Sequence, residues 1–338
     1  MTYNAAIIGC GRIADELGSQ PLAKKPFGHA GAYKAVKNVK LVAACDVDKT
    51  RLDYFSKKWN IRNTYTDYEK MLKNEKIDIV SVCTHAPLHC SIVERAAESG
   101  VKAIFCEKPM AVSIDECEKM IKSCKKNGVV LSVDHTRRWY PHYRKIKEMI
   151  EKNSIGELKM MQGFCPIGLM NAGTHLFDLL RFFAGDLVSV YGTINVNEND
   201  PGGNALLKFK NGAVAIIDSD WNEYVLWYFS VFGSAGAIKC NEMIEDIRLM
   251  LPKDVGIKKL YPAKFPKVIA GSPLVLAVEE IIDCIEKGEK PSCTGVDGMK
   301  AVEIAMAIHE SSKSGKGVRL PLKNRKRRVI PRLTSMKK

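Results

Sequence analysis

Several features common in other protein classes are missing from this 338-residue sequence. No apolar run approaches the length of a membrane span. A strand-like segment begins within a few residues of Met1, so we expect no signal peptide. The eleven cysteines are scattered and include no C-x-x-C pair, which favours reduced, buried thiols. Together these absences argue against a membrane protein and a disulfide-stabilised secreted domain, and they indicate a cytoplasmic protein.

Acidic residues are absent from the last sixteen positions, where eight lysines and arginines form a basic tail at 323–338. The formal net charge of the chain is +14, so the rest of the chain carries +6. A basic tail can contact nucleic acid. No aromatic residue or recognition motif accompanies this one, so we predict a solvated segment and no nucleic-acid partner.

The N-terminal motif Gly9-Cys10-Gly11-Arg12-Ile13-Ala14 directly follows the apolar run 5–8. A G-x-G-x-x-A pattern after a strand is typical of dinucleotide-binding domains. Gly9 permits the tight turn, Gly11 lets the backbone approach a pyrophosphate, and Ala14 lets the helix pack on the strand. The phosphates would bind the amides at the helix start, near Arg12 and Ile13. The alternative is a plain strand–helix turn.

Asp46 ends the second predicted strand, 40–45. A carboxylate there can accept hydrogen bonds from ribose hydroxyls and repel a 2′-phosphate. Asp46 therefore predicts NAD as the cofactor. NADP is also possible, because the basic side chains of Lys49 and Arg51 follow closely and can offset the repulsion of a 2′-phosphate. Asp46 lies 35 residues after Gly11 instead of about 20, which we attribute to an inserted loop at 15–27. Alternatively, Asp46 caps the predicted helix 49–59.

Strand and helix signals alternate up to residue 133, and the strands are almost continuously apolar. This pattern predicts an α/β fold with a parallel, doubly wound sheet in a first domain, 1–134. Strands joined by short turns follow, including a hairpin around residues 210–212, and then helices at 273–287 and 299–312. They predict an α+β second domain with an antiparallel sheet, 135–322.

The carboxyl ends of parallel strands form the ligand-binding edge of such a sheet. Thr84, Glu107 and Asp134 each follow a predicted strand and would lie on that edge. Lys108 stands in the triplet Glu107-Lys108-Pro109. A lysine in a desolvated pocket can lose proton affinity and join a proton relay. A solvated lysine in a turn is the alternative.

A second polar cluster contains Asn171, His175 and Asp178. His175 lies near a predicted helix start, one turn from Asp178. Histidine is the natural general base for a hydroxyl near neutral pH, although it could be a buried core residue. His85 and His89 are four residues apart, as in some zinc sites. We find no third ligand and predict no metal site.

These motifs together resemble the Gfo/Idh/MocA family of NAD(P)-dependent oxidoreductases. The resemblance runs from residue 5 to about 320 and rests on residues 9–14, Asp46, 84–89, 107–109, 135–139, 173–178, 310–315 and 320–321.

The resemblance implies a Rossmann domain and a second domain with an open, mostly antiparallel sheet. It also implies that a C-terminal helix near 299–312 packs back on the first domain. By the same resemblance Lys108 and His175 form the catalytic pair, and Thr84, His89, Glu107 and Lys108 belong to the cofactor site. Asn171 replaces an aspartate common in the family; it can orient a hydroxyl but cannot take its proton.

The implied reaction transfers a hydride between nicotinamide and a hydroxyl-bearing carbon of a sugar, polyol or nucleotide sugar. Arg137 and Arg138 would contact the carboxamide side of the cofactor or an acidic substrate group, or be solvated cations. Segment 164–170 is short for the family, so the pocket is either more open or completed by a neighbouring subunit. We expect a homo-oligomer, a dimer or tetramer.

Two other functions remain compatible with the same motifs. One is a relative that uses bound NAD transiently within a lyase or hydrolase cycle. The other is a protein that senses the dinucleotide without turnover. Net production of NADH distinguishes the dehydrogenase from both.

Overall fold

The computed structural model describes residues 1–16, 25–166, 168–195, 200–221, 227–241, 247–255 and 257–331. Parts of the predicted loop 15–27 and of the predicted basic tail lie outside these residues. The chain divides into two compact units. The first contains Met1–Tyr140 and Ala270–Met299, and the second contains Pro141–Ile269 and Lys300–Lys338. The predicted domains, 1–134 and 135–322, differ from this division in two places, since residues 135–140 and 270–299 belong to the first unit.

The strands of the two units are numbered together along the chain. They are β1 Tyr3–Ile8, β2 Val39–Cys45, β3 Asn63–Tyr65, β4 Ile79–Val82, β5 Ala103–Cys106, β6 Val130–Val133, β7 Leu158–Pro166, β8 Leu187–Ile194, β9 Gly203–Phe209, β10 Val214–Trp221, β11 Tyr228–Gly233, β12 Gly236–Asn241, β13 Ile247–Asp254, β14 Lys258–Ala263 and β15 Val318–Arg319.

The α-helices are numbered in the same way. They are α1 Arg12–Asp15, α2 His29–Ala35, α3 Lys49–Trp59, α4 Tyr68–Asn74, α5 Ala86–Glu98, α6 Ile114–Lys126, α7 Pro141–Glu151, α8 Thr174–Ala184, α9 Pro273–Lys287 and α10 Gly295–Ser314. A 3-10 turn at Thr136–Trp139 and a π-helical turn at Leu169–Gly173 complete the helical segments. Within the described ranges, no helix is both long and apolar enough to cross a bilayer.

The first unit is built on six parallel strands in the order β3-β2-β1-β4-β5-β6. Every residue of β4 and β5 is buried, as expected for strands covered by helices on both faces. The predicted parallel, doubly wound sheet is confirmed.

Polar side chains mark the starts of several of these helices. The Asp48 carboxylate accepts a hydrogen bond from the Arg51 amide at the start of α3, and Ser113 accepts one from the Glu116 amide at the start of α6. Such caps satisfy amide groups that have no partner within the helix. The α3 helix ends at Asn60 in the left-handed conformation, with φ 55°.

The segment 270–299 completes the core of the first unit. The Trp139 indole donates to Glu280 on α9 over 2.6 Å. The buried Arg138 guanidinium donates to the Ser292 carbonyl over 2.6 Å and pairs with Asp297 over 3.1 Å. The first unit therefore needs a piece of chain that follows most of the second unit in sequence.

The second unit contains nine strands in the order β14-β13-β12-β11-β7-β10-β9-β8-β15. All neighbours are antiparallel except β7 and β10, which run parallel. Gly212 allows the tight turn between β9 and β10 by adopting φ 88°. The predicted, mostly antiparallel sheet is confirmed.

The basic tail is not solvated along its whole described length. Val329 is only 4% exposed, whereas its neighbour Ile330 is 45% exposed. The expectation of a solvated segment is therefore wrong at Val329. An apolar residue within the basic run is thus buried, although charged residues precede it in the sequence.

We predict that Val329→Asp destabilises the protein by at least about 2 kcal/mol, because burying a valine side chain contributes about that much and a buried charge adds a penalty. Ile330→Asp adds the same charge at an exposed neighbour and serves as control. Chemical unfolding followed by circular dichroism measures both. Equal stability of the two variants would contradict the burial of Val329.

Candidate active site

The order of strands in the first unit reverses between β1 and β4. Ligands of parallel α/β sheets bind in the crevice at the carboxyl ends of the strands, at this point of reversal. The residues that directly follow the strands here are those that the sequence analysis selected. They are Gly9 after β1, Asp46 after β2, Thr84 near the end of β4, Glu107 after β5 and Asp134 after β6.

Gly9 allows the close approach of two chain segments at this edge. It has φ 93°, and a Cβ atom on it would lie 2.8 Å from the carbonyl of Cys83 and 2.9 Å from the Thr84 nitrogen. A side chain is therefore excluded by both conformation and space. Gly11 differs, because no described heavy atom outside its immediate chain neighbours lies within 4 Å of where its Cβ would stand. The backbone at Gly11 thus borders open space, as a pyrophosphate site requires.

Asp46 connects the glycine loop to the end of β2. Its Oδ2 accepts from the Cys10 amide and its Oδ1 from the Asp48 amide, both over 2.8 Å. A guanidinium nitrogen of Arg51 lies 3.4 Å from Oδ2. Each carboxylate oxygen has two lone pairs, so Asp46 keeps acceptor capacity for hydroxyl groups. The cap of α3 is Asp48, which rules out the alternative assignment of that cap to Asp46.

Thr84 carries a polar atom that lacks a protein partner. Its hydroxyl oxygen is buried, and no described group lies within hydrogen-bonding distance of it. Buried hydroxyls without a partner are rare in folded proteins and indicate a missing ligand or water. Thr84 therefore fits a ligand-contacting position at this edge.

His89 contacts backbone rather than open space. Its Nε2 lies 2.9 Å from the Thr84 carbonyl, and its Nδ1 lies 3.1 Å from the Pro109 carbonyl and 3.2 Å from that of Met110. Burial lowers the pKa of His89, although the carbonyls oppose this. His89 thus joins the loop after β4 to the loop after β5. His85, the other histidine of the i, i+4 pair considered as a zinc site, is exposed.

The Glu107-Lys108-Pro109 triplet is fixed mainly through Glu107. The Glu107 carboxylate is buried and accepts from the Lys108 amide over 3.2 Å. Burial and the nearby Asp134 carboxylate raise the pKa of Glu107, while a hydrogen bond with His29 opposes the rise. Lys108 itself is half-buried and is followed by a cis peptide bond to Pro109.

His29 is a site residue that the motifs did not reveal. Its ring lies between Glu107, 3.0 Å from Nε2, and Ser81, 2.8 Å from Nδ1. Asp134 lies 3.6 Å from Nε2. Donor atoms of His29, Glu107 and Asp134 all lie within 4.8 Å of one another. A signal did exist, because His29 is a polar residue on a face of α2 that is otherwise small or apolar and buried.

The two predicted arginines differ in their surroundings. Arg138 is buried and contacts Ser292 and Asp297 within the first unit, so it is not a solvated cation. Arg137 is half-buried. Only Arg137 has the partial exposure that a substrate-contacting side chain needs. Arg12 is exposed and Ile13 is half-buried at the start of α1.

In the second unit, Asn171 and His175 lie one turn apart. Asn171 belongs to the π-helical turn that leads into α8, and His175 is in the first turn of α8. Both are half-buried. The rings of His175 and Trp227 are 6.2 Å apart, edge to face. Asp178 is fully buried.

Asp200 holds the turn that carries Asn171. Its buried carboxylate accepts from the Met170 amide over 2.7 Å and from the Asn171 amide over 3.0 Å. Sequence analysis did not identify Asp200, since no motif surrounds it and its partners lie about thirty residues earlier. Asp200 therefore fixes the backbone of the second polar cluster.

Comparison with known proteins matches both halves of the chain. Residues 3–135 match the family model described as "Oxidoreductase family, NAD-binding Rossmann fold". Residues 168–320 match the model of the C-terminal alpha/beta domain of the same family. The chain belongs to the Gfo/Idh/MocA family. The resemblance drawn from the sequence motifs is thus confirmed, and the chain is a member of an oxidoreductase family.

Curated relatives of this family member are similar over nearly their whole length. A D-apiose dehydrogenase of Paraburkholderia graminis is 25% identical, covering 94% of this chain and 90% of the relative. A myo-inositol 2-dehydrogenase of Thermotoga maritima is 26% identical, and the match covers 86% of this chain and 94% of the relative. A levoglucosan dehydrogenase solved with NADH and levoglucosan has a TM-score of 0.82 at 19% identity. The match covers 95% of this chain and 100% of that structure. This last likeness shows the shared fold.

The edge of the first unit fits the dinucleotide that the family model implies. The open space at Gly11 leaves room for a pyrophosphate, and the Asp46 carboxylate retains acceptors for ribose hydroxyls. The unpartnered Thr84 hydroxyl is a further polar group that a ligand can satisfy. These observations support NAD as the cofactor of this site.

We predict that Asp46→Asn raises the affinity for NADP relative to NAD about tenfold, a change of ~1.4 kcal/mol, because it removes the charge that repels a 2′-phosphate. Asp53→Asn, at an exposed position on α3, makes the same charge change away from the site. Dissociation constants for both dinucleotides follow from fluorescence titration. An unchanged ratio in Asp46→Asn would reject Asp46 as the ribose ligand.

Proposed function

We propose that this chain is an NAD-dependent dehydrogenase or reductase that acts on a hydroxyl-bearing carbon of a sugar, polyol or nucleotide sugar. The strongest support is membership of the family, because relatives in it are named as dehydrogenases of D-apiose and myo-inositol. In addition, Glu107 and Lys108 directly follow β5 at the ligand-binding edge of the Rossmann sheet. The first unit would bind the dinucleotide, and the second would bind the substrate.

The proposed roles follow from the chemistry of the side chains. When bound, NAD supplies the hydride acceptor or donor. His175 takes the hydroxyl proton, because imidazole is a base near neutral pH. Lys108 stabilises negative charge on the substrate oxygen. Asn171 holds a neighbouring hydroxyl by hydrogen bonding, and Asp200 fixes the backbone beneath it.

The test is a substrate panel read by NADH absorbance. Neutral sugars, polyols and nucleotide sugars form its three arms, since the net charge of +14 and the half-buried Arg137 also suit an acidic substrate. NADH formation on one arm supports the proposal and names the class. Tightly bound NAD with no net NADH would favour a lyase or hydrolase cycle. Exchangeable binding without any turnover would favour a sensor.

We predict that Lys108→Ala lowers kcat by ~10²–10⁴, the usual cost of removing a proton-transfer or charge-stabilising group. Dinucleotide affinity should stay nearly unchanged, because the proposed contacts at Gly11 and Asp46 are not altered. His175→Ala should lose a similar factor, and the double variant should lose less than the product of the two. Asn171→Asp should retain activity.

Lys57→Ala, an exposed lysine on α3, is the matched control for this series. Values of kcat from initial rates and dissociation constants from fluorescence separate chemistry from binding. Normal turnover by Lys108→Ala on the identified substrate would remove Lys108 from the active site.

We also propose a homo-oligomer whose interface covers part of the large sheet. Tyr191 on β8 lies opposite Leu206 on β9, which lies opposite Ile216 on β10. Directly opposed residues share one face of a sheet, and these three side chains are 46–52% exposed. A contiguous apolar row at the surface of a monomer indicates an interaction site.

Leu206→Asp should shift the protein towards the monomer, because it places a charge in the middle of this row. Leu88→Asp, at an exposed position on α5 of the first unit, provides the control. Light scattering coupled to size-exclusion chromatography gives the mass of each. An oligomer that persists unchanged in Leu206→Asp would place the interface elsewhere.

The cysteines support a reducing compartment, and we propose the cytoplasm. All eleven lie within the described residues as buried thiols. Burial raises the pKa of several, among them Cys90 and Cys124, to about 12, which keeps these thiols protonated and unreactive. A chain with many unlinked thiols is typical of intracellular proteins.

A further inference from the structure

A continuous hydrogen-bonded chain runs under the loop that carries Lys108. The Tyr33 hydroxyl contacts Ser81 over 2.6 Å, and Ser81 contacts Nδ1 of His29 over 2.8 Å. Nε2 of His29 contacts Glu107 over 3.0 Å, and the second oxygen of Glu107 accepts from the Lys108 amide. All these groups belong to the first unit, and they connect α2 and β4 to the end of β5.

The ionisable groups in this hydrogen-bonded series are almost entirely shielded from solvent. His29 is fully buried, and Glu107 and Asp134 are also buried. The His29 ring packs against Phe105, with 4.7 Å between ring centroids. Two buried carboxylates with no cation would be very costly, since isolated ionised groups are strongly disfavoured in an apolar interior.

His29 is the basic side chain that contacts both of these carboxylates. Nε2 faces two carboxylates, which are acceptors, so this nitrogen must carry a proton. Nδ1 faces the Ser81 hydroxyl, which accepts a hydrogen bond from a protonated Nδ1 or donates one to an unprotonated Nδ1. The contacts therefore fix one proton on Nε2, and the two buried carboxylates beside it favour a second proton on Nδ1. Burial alone would lower the pKa of His29, but Cys83, Asp134 and Glu107 around the ring raise it well above its ordinary value.

The same three side chains are of the types that bind metal ions, and their donor atoms lie close together. Nε2 of His29 and Oε1 of Glu107 lie 3.0 Å apart, a hydrogen-bonding distance that two ligands of one metal ion also show. An imidazolium at this position supplies the positive charge that a metal would otherwise provide. Stoichiometric metal in the purified protein is therefore an outcome that would overturn the inference below.

We propose that His29 is a buried imidazolium that positions Lys108 through Glu107. The ion pair holds the Glu107 carboxylate, and the second oxygen of that carboxylate holds the Lys108 backbone at the end of β5. His29 does not touch substrate or cofactor in this scheme; it is a positioning residue. Its effect on catalysis rests on the function proposed above, whereas its protonation state does not.

The first experiment measures protonation directly in the full-length protein. Nitrogen spectra of ¹⁵N-histidine-labelled protein, with His29→Gln to assign the signal, should show an imidazolium at a pH where an exposed imidazole is neutral. Glu107→Gln should return His29 towards the neutral form at the same pH. The groups facing the ring are Glu107, Asp134, Cys83 and Ser81, and none of the last three is changed. A neutral imidazole in the wild type would overturn the proposal.

The second experiment separates kcat from binding. We expect His29→Gln to lower kcat roughly 10- to 100-fold, the cost of slight misplacement of a catalytic group, with dinucleotide affinity nearly unchanged. The double variant His29→Gln/Glu107→Gln should lose less than the product of the single losses, because both act on Lys108. His309→Gln alters another buried histidine, on α10, and should behave like the wild type.

Thermal unfolding of each variant identifies any loss of kcat that comes from misfolding. If His29→Gln proves unstable, Glu107→Gln tests the same contact, because glutamine has nearly the same shape as glutamate. If the wild type oxidises a substrate and both single variants match its kcat, the positioning role is wrong and the proposed function stands. If the wild type oxidises nothing, the proposed function fails, and the nitrogen spectra still decide whether the buried imidazolium exists.

Discussion

The candidate active-site edge of this protein depends on the close approach of two strand ends at Gly9. A side chain there would collide with the carbonyl of Cys83, so the loop after β1 and the loop after β4 can meet only at a glycine. That approach brings the amide of Cys10 to Asp46 and places Thr84 beside the glycine loop. The close packing of these two loops therefore depends on one residue that has no Cβ atom.

Around this edge of the sheet, each buried charged side chain is held by specific hydrogen-bonding partners. Asp46 accepts from two amides, Arg138 contacts Asp297 and a carbonyl, and Glu107 contacts His29 and an amide. Breaking one member of such a pair costs more than the pair contributes, since the remaining charge is left buried. The arrangement therefore favours a single geometry at the strand ends, which is what a site that orients a small substrate requires.

Local patterns in the sequence predicted most of the fold. The helices at 49–59 and 273–287 coincide with α3 and α9, because apolar spacing and capping residues define them locally. The assignment of 270–299 to the first unit was not predictable in this way. It depends on contacts such as that of Trp139 with Glu280, which are 141 residues apart. His29 and Asp200 were missed for the same reason, since their partners are distant in sequence and no short motif surrounds either residue.

The interleaving of the two units has a consequence for how the chain folds as it is made. A ribosome releases residues in order, and the first 140 leave it long before α9 exists. Until residues 270–299 have emerged, Trp139 and Arg138 lack the partners that bury them. The dinucleotide-binding unit, although it is first in the sequence, can therefore complete its core only after most of the second unit has been synthesised. During that interval its unfinished apolar surface must be kept from other chains.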